Sequence, residues 1–399
     1  MIAAKNAKVA KADWKTVKLG EVVNVNPTFS LKKGVVAKKV GMDKITPHCR
    51  DISSYSEEAY SGGAKFVNGC TLMARITPCL ENGKISQVRF LDEYEVAFGS
   101  TEFIVFEEIE GVSDKDFIYY LVNTALVRQR AIDSMVGSSG RQRAQSDEVA
   151  KILIPLPPLP TQRKIAAVLG ALDDKIENNR KICANLEAQA QALFKSWFVD
   201  FEPWGGKMPK DWKMGKLYEF ADIIYGAPFK SKLFNEKGDG RPIIRIRDLK
   251  NNETKTYTTE RHDKEYVVQA GDLVVGMDGE FRPYVWGNKP ALLNQRVCVF
   301  KPKDKVSTAY LLFSIKPQLE FVEATEAATT VIHIGKEDFD SFKISIPSKD
   351  WLSKFNGIAQ KQIDLSTRLR QYNVALAELR DALLPKLMSG ELDVSEVAV

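Results

Sequence analysis

Residues 161–197 read TQRKIAAVLGALDDKIENNRKICANLEAQAQALFKSW. A stripe runs through them: Ile165, Leu169, Leu172, Ile176, Asn179, Cys183, Leu186, Ala190, Leu193 and Trp197, in strict alternation of four-residue and three-residue steps. Charged and polar residues fill the intervals, among them Asp173, Asp174, Lys175, Glu177, Arg180 and Lys181. A sustained alternation of this kind marks the seam of a coiled coil, one narrow apolar line on an otherwise solvated helix. A second stripe follows near the C-terminus: Phe355, Ile358, Gln362, Leu365, Leu369, Tyr372, Leu376, Leu379 and Leu383, with Pro385 expected to close the helix. Each helix should reach ~48–55 Å at 1.5 Å per residue. Neither stripe is wide enough to hold a helix together alone in water. The economical solution is that the two pair, antiparallel because the first leads away from one folded region and the second leads back. Asn179 and Gln362 would fix the register. The competing expectation is that each helix lies buried in a separate domain core.

Outward from the helices, the chain is written twice. Asp13-Trp14-Lys15, Lys18-Leu19 and Glu21 return with identical spacing as Asp211-Trp212-Lys213, Lys216-Leu217 and Glu219. Asp116–Leu121 has a counterpart in Thr308–Phe313, and Lys151–Pro155 in Lys343–Pro347. Each Ile-Pro, at 154–155 and 346–347, precedes one of the helical stripes. Matches in constant order at so long a period mean duplicated domains rather than a solenoid. The predicted organisation is 1–160, a globular unit; 161–202, a central helix; 203–348, a second unit; and 349–399, a second helix with a tail. Within the units, the stretches 67–74 and 268–275 each place a glycine turn before an apolar strand, 102–106 and 296–300 read as later strands, and 119–126 and 310–315 as short helices. The fold class is therefore α+β: two similar strand-rich domains separated by paired helices, with an internal pseudo-two-fold repeat.

The composition suits such a protein. The chain has 399 residues, 57 Lys or Arg against 52 Asp or Glu, and 44% hydrophobic residues. That is too long for one core and too apolar for a disordered chain. No run approaches the ~18 apolar residues of a membrane span, and the N-terminal lysines have no apolar run behind them, so neither a membrane anchor nor a secretory signal is expected. The five cysteines, 49, 70, 79, 183 and 298, are scattered and contain no Cys-x-x-Cys, which fits a reducing, cytoplasmic setting and argues against a metal site. Charge is sorted along the chain: residues 1–50 hold eleven Lys or Arg against three acids, and residues 91–116 hold nine acids against one lysine. Such sorting suits a basic face for nucleic acid.

Catalytic motifs are missing. No phosphate-binding glycine loop, nucleophile elbow or metal-binding His helix occurs, and three histidines leave little room for a histidine base. No Asn/Asp-Pro-Pro-aromatic stretch of an adenine-methylating site is present. The functional candidates are loops rich in Arg, Gln, Gly and Ser, because Arg matches the guanine O6/N7 edge, Gln matches adenine N6/N7, and small residues let backbone approach phosphate. In the first copy these are Arg75, Thr77, Arg141, Gln142 and Arg143. In the second they are Arg245, Arg247, Arg282, Tyr284, Gln295, Arg296 and Lys336, with Arg241 nearby and the loop 328–336 as counterpart of 137–143. The frame repeats more faithfully than the loops, as expected if two similar domains read two different sequences.

Taken in order, a variable unit, Ile154-Pro155-Leu156-Pro157-Pro158-Leu159-Pro160-Thr161-Gln162-Arg163-Lys164-Ile165-Ala166 leading into a helix, a second variable unit, Ile346-Pro347, a second helix, and Leu383-Leu384-Pro385-Lys386-Leu387-Met388-Ser389-Gly390-Glu391-Leu392, the chain resembles the specificity subunit of type I restriction–modification systems. The second helix start, Ser348-Lys349-Asp350-Trp351, departs from the first in lacking Pro-Pro and Gln-Arg. The resemblance implies target recognition domains that each read half of a bipartite, asymmetric site in double-stranded DNA, and helices that set the unread gap. It implies two modification subunits, DNA adenine methyltransferases carrying S-adenosylmethionine, and two restriction subunits with ATP, Mg and translocase activity, while this chain itself holds no cofactor or metal and catalyses nothing. From the residues alone, an enzyme with an unrecognised site and an adaptor binding only proteins stay open beside this reading.

Overall fold

The structure, a computed structural model, describes residues 13–138, 140–303, 306–326 and 333–397. It divides into two compact units, one built from the chain up to Glu177 together with the stretch from Leu376 onward, the other from Asn178–Ala375.

In unit one, a four-stranded sheet runs in the order Val23–Val25, Phe103–Glu108, Thr71–Ala74, Ile85–Gln87, all antiparallel. A second has the order Ser56–Ala59, Val36–Val40, Ala97–Gly99, Ala64–Phe66, with Val36–Val40 parallel to Ala97–Gly99. Lys15–Lys18 pairs with Leu153–Leu156. Unit two repeats the plan. Ala221–Tyr225, Val297–Pro302, Leu273–Gly276 and Pro283–Val285 form the equivalent antiparallel sheet. A five-stranded sheet again joins its central strands in parallel, Arg241–Ile244 beside Ala291–Leu293. Lys213–Lys216 pairs with Lys343–Ile346.

The repeated sequence motifs have local physical reasons. Glu21 accepts from the Lys18 amide at 3.1 Å, and Glu219 from Lys216 at 2.8 Å, each closing a short 3-10 turn. The leucine that starts each turn donates to the carbonyl just before the far strand, Leu19 to Ile152 and Leu217 to Phe342. Gly69 and Gly271 turn the chain into the central strands with φ of +93° and +95°, a region open to glycine. The short helix expected at 119–126 is two helices, Lys115–Asn123 and Ala125–Asp133, because Thr124 is extended and its hydroxyl caps the second. Its counterpart extends much further than 310–315, as Thr308–Glu326.

The first long helix is Leu159–Phe198. The second stretch comprises Lys349–Phe355, a π turn at Asn356–Gln360, and Lys361–Met388. It runs through Pro385 rather than ending there; the proline sits in the last turn, exposed to solvent, where the lost amide bond costs least. In unit one, Ile165, Ala166 and Leu169 join the core with Phe117–Val122, Leu387 and Met388. In unit two, Phe194 and Phe198 lie among Tyr310, Phe313, Phe355 and Trp212, with ring centroids 5.1–5.9 Å apart. Burying such side chains contributes roughly 1.5–3 kcal/mol each.

The helices are antiparallel in both units. Asp173 meets Arg380 in unit one. In unit two Asn179 donates to Asn373 at 2.8 Å, Cys183 to the Ser366 carbonyl at 3.4 Å, and Gln362 to Gln189 at 3.1 Å. Of the expected first stripe, Ile165, Leu169, Ile176, Asn179, Cys183 and Ala190 are buried, and Leu172, Leu186, Leu193 and Trp197 half-buried. The second stripe requires correction. Phe355 and Leu376 are buried and Leu369 and Leu383 half-buried, but Ile358, Leu365, Tyr372 and Leu379 are 47, 42, 50 and 48% exposed. The column turned inward is Ala359, Ser366, Asn373, Arg380 and Leu387. Apolarity selects the wrong column because the middle of the buried one is polar, with Ser366, Asn373 and Arg380 matched to Cys183, Asn179 and Asp173 on the facing helix.

Candidate nucleic-acid interface

In unit one the strand Thr71–Ala74 delivers the chain to Arg75. The Arg75 amide donates to the Glu102 carbonyl at 2.9 Å, and Ala144 donates back to the Arg75 carbonyl at 2.8 Å. Ile76 bridges Arg143, and Thr77 donates to the Gln142 carbonyl at 3.0 Å. The segment 136–143 closes on itself through reciprocal Val136 and Arg143 bonds and a bond from Arg141 to Ser138, with Gly137 and Gly140 at positive φ. Five separated candidates, Arg75, Thr77, Arg141, Gln142 and Arg143, therefore share one patch. Arg141 and Gln142 are exposed at its tip. Arg143 is not a free reader: its guanidinium grips Glu102, Nε at 2.9 and 3.0 Å and Nη2 at 2.7 Å. That bond raises its pKa. The Arg75 Nε is buried without a hydrogen-bond partner among the described residues.

Unit two builds the same backbone frame. Met277 donates to the Arg296 carbonyl at 2.9 Å, Ile334 to the Met277 carbonyl at 3.0 Å, and Asp278 bridges His333. The frame thus matches Arg75 to Met277, Glu102 to Arg296 and Ala144 to Ile334. Its side chains differ. Asp278 takes Arg296 Nε at 3.3 Å and His333 Nδ1 at 2.6 Å. Arg282 lies 3.2 Å from Glu323, which also accepts from the Phe281 amide. Gln295 is exposed on the turn beside Arg296, and Lys336 is exposed at the start of the helix Lys336–Ser341. Tyr284 is half-buried against the cluster around Trp286, and burial pushes its phenol up.

Arg245 and Arg247 approach from the second sheet. Between them Ile246 abuts Gly276, and the Ile244 carbonyl accepts from Asn294 at 3.4 Å. Arg245 bonds Thr256 and lies 3.7 Å from Asp248, while Arg247 is largely exposed. Burial pushes the Asp248 carboxyl up to about 6. Arg241 is tied bidentately to Glu265 at 2.6 Å, which holds that carboxyl down at about 2. Of the loop 328–336, residues 328–332 lie outside the described residues, as do residues 1–12 of the basic N-terminal region. Within the rest of that region Lys38 pairs with Glu95, Lys39 with Glu58, and Arg50 is buried against Asp51 and Asp174. Part of the basic stretch is thus matched by carboxylates, one of them, Glu95, from the acidic stretch, rather than presented as one basic face.

Glu102, Asp278 and Glu323, the acids that hold the candidate arginines, carry no sequence signal, since each partner is 18 or more positions away. The described residues hold no group of three or more His, Cys, Asp or Glu arranged for a metal, and no helix among them is long and apolar enough to cross a membrane. None of the five cysteines is in a disulfide.

Two loop clusters of unlike chemistry on a repeated frame are the arrangement of a duplicated recognition protein. The family profile described as type I restriction modification DNA specificity domain matches residues 11–188 and again 209–367. The chain belongs to that family, with two copies of the domain. It is similar to the type I restriction enzyme EcoBI specificity subunit of Escherichia coli, 33% identical over 45% of this chain and 39% of that protein. It is 26% identical to the HindI specificity subunit of Haemophilus influenzae, over 96% of this chain and 100% of that one. Among solved structures, a type I restriction–modification S subunit from M. genitalium shares the fold with a TM-score of 0.54 at 13% identity, over 94% of this chain and 96% of the other.

Proposed function

We propose that the chain is the non-catalytic specificity subunit of a type I restriction–modification complex, with 1–160 and 203–348 as target recognition domains that each read one half of a bipartite, asymmetric site in double-stranded DNA. The observation that carries this is the twice-built frame of Arg75–Glu102–Ala144 and Met277–Arg296–Ile334, identical in backbone bonding and unlike in side chains. A fixed frame with exchanged loops is how one scaffold reads different bases. In unit one Arg141 and Gln142 would meet base edges, Arg75 and Thr77 the backbone. In unit two Arg247, Gln295 and Lys336 are the most exposed candidates, with Arg245, Arg282, Tyr284 and Arg296 behind them.

The helices 161–202 and 349–399 would set the gap between half-sites. The exposed column Ile358, Leu365, Tyr372 and Leu379, spaced by seven, suits a helix of a modification subunit. Methyl transfer would use S-adenosylmethionine on two modification subunits; cleavage and translocation would use ATP and Mg on two restriction subunits. The assembly would work in the cytoplasm, where its DNA is.

The test is to reconstitute the chain with its modification subunits and map methylated adenines. A two-part motif with a fixed gap is expected. Removing seven residues (~10 Å) from each helix should then change the accepted gap and leave both half-sites' bases intact. An unchanged gap, or methylation without a two-part motif, would overturn the reading.

A further inference from the structure

The reading sheet of each unit is bonded to a helix at a second point, away from the apolar core. In unit one the strand Ile85–Gln87 lies beside Thr71–Ala74, which feeds the reader loop. Gln87 donates to the Arg50 carbonyl at 2.8 Å, and Ser86 to the Cys49 carbonyl at 2.8 Å, fastening the segment 49–50 to the sheet. The Arg50 side chain, 6% exposed, then reaches the first long helix: Nη2 to Asp174 at 2.6 Å and Nη1 to the Gly170 carbonyl at 3.3 Å. Arg89, just past the strand, adds a second cation 3.2 Å from Asp174. Burial works against the charge on Asp174, but Arg50 and Arg89 outweigh it and hold the carboxyl below its usual range.

Unit two has the same device in different chemistry. Pro283–Val285 lies beside Leu273–Gly276, which feeds its reader loop. Arg370 on the second helix donates to the Val285 carbonyl at 3.3 Å and pairs with Glu187 on the first. Gly287 makes room for it, since a Cβ there would lie 2.8 Å from the Arg370 stem. In both units the apolar anchor lies earlier on the helix, at Ile165–Leu169 and at Phe355–Ile363. The polar anchor follows ~8–10 Å further along. One anchor permits a pivot; two fix a direction.

We propose that Asp174 and Arg370 are positioning residues that set the angle of each reading sheet on its helix, and thereby how strictly the gap between half-sites is enforced. The proposal rests on the bipartite reading. Its test is the reconstituted methyltransferase on duplexes whose gap is one base pair shorter, cognate, or one longer, with every base of each half-site also substituted in turn. Asp174→Asn and Arg370→Gln remove charge at little cost in volume, and Asp174 is mostly exposed. Each variant should raise methylation of the off-gap duplexes, relative to the cognate, by about tenfold, the worth of one charged hydrogen bond. Base preference should stay as in the wild type, and the melting of the complex should fall by no more than the loss of one charged hydrogen bond allows. Arg89→Gln provides a milder variant with the same direction. Undiminished gap discrimination in all three, with the wild type discriminating, overturns the positioning role and leaves the bipartite reading standing. Relaxed base preference also overturns it, because the residues would then act on the reader loops. Absence of gap discrimination in the wild type defeats both.

Discussion

The two units differ least where backbone meets backbone and most where side chain meets side chain. Arg75 and Met277 occupy one position in a shared hydrogen-bond frame, yet unit one fastens its loop with Glu102 and Arg143, and unit two with Asp278, Arg296 and His333. Acid and base have changed places: the turn before the long strand carries Glu102 in one and Arg296 in the other. Backbone bonds are indifferent to residue identity, so the frame survives while the surface it carries is rewritten. The helix contacts diverge likewise, a buried ion pair in unit one, Asp173 with Arg380, and neutral amides in unit two, Asn179 with Asn373.

The largest expected difference between the units lies in those helix contacts. Arg380→Met leaves the Asp173 carboxylate, 5% exposed and bonded to the Tyr120 hydroxyl, without its guanidinium counter-charge, and should destabilise the protein by about 3–5 kcal/mol. Asn373→Leu leaves only an amide unpaired, about 1–3 kcal/mol, and Leu365→Ala on the exposed column should stay within about 0.5 kcal/mol. Denaturant melts of the three variants rank them; equal losses at Leu365 and Arg380 would return the seam to its apolar column.

Next in size is selectivity. Arg141→Ala with Gln142→Ala should weaken methylation through one half-site by about 10–100-fold, from lost base-edge bonds, and leave base preference in the other half untouched. Glu102→Ala should act on the same half-site more weakly, by freeing Arg143 and loosening the loop. Substitution profiles of both half-sites decide it, and equal relaxation at both would break the modular comparison.

A further difference concerns pH. The Asp248 carboxyl is raised to about 6 in the folded chain by burial, against about 3.9 unfolded. Its contribution to stability is complete below the unfolded value and is lost as pH rises through about 6. Asp248→Asn should flatten that slope, raising the melting temperature of unit two near neutrality and changing it little near pH 4. Parallel slopes in wild type and variant would show that Asp248 is not the group responsible.

The duplication, the strand-rich units and the first helix were legible because each leaves a local or periodic mark: a Lys-Leu-x-Glu turn, a glycine before a strand, a 3–4 alternation. The second seam was legible only in half. Periodicity offered two columns that flank the same line, and the apolar choice put Ile358, Leu365, Tyr372 and Leu379 inward, where the fold places Ser366, Asn373 and Arg380. Nothing in the second helix alone reports that Asn179 and Asp173 lie opposite.

The sequence by itself determined that this is a doubled α+β chain with two long helices and basic, glycine-rich loops between repeated elements, because those features are set by spacing along the chain. Tertiary structure alone decided which arginines are free. Arg143, Arg241 and Arg296 look alike in a sequence to Arg141, and differ from it in the carboxylates that folding brings within 3.3 Å of them. An ion pair between residues tens of positions apart depends on distances in space, which no local pattern encodes.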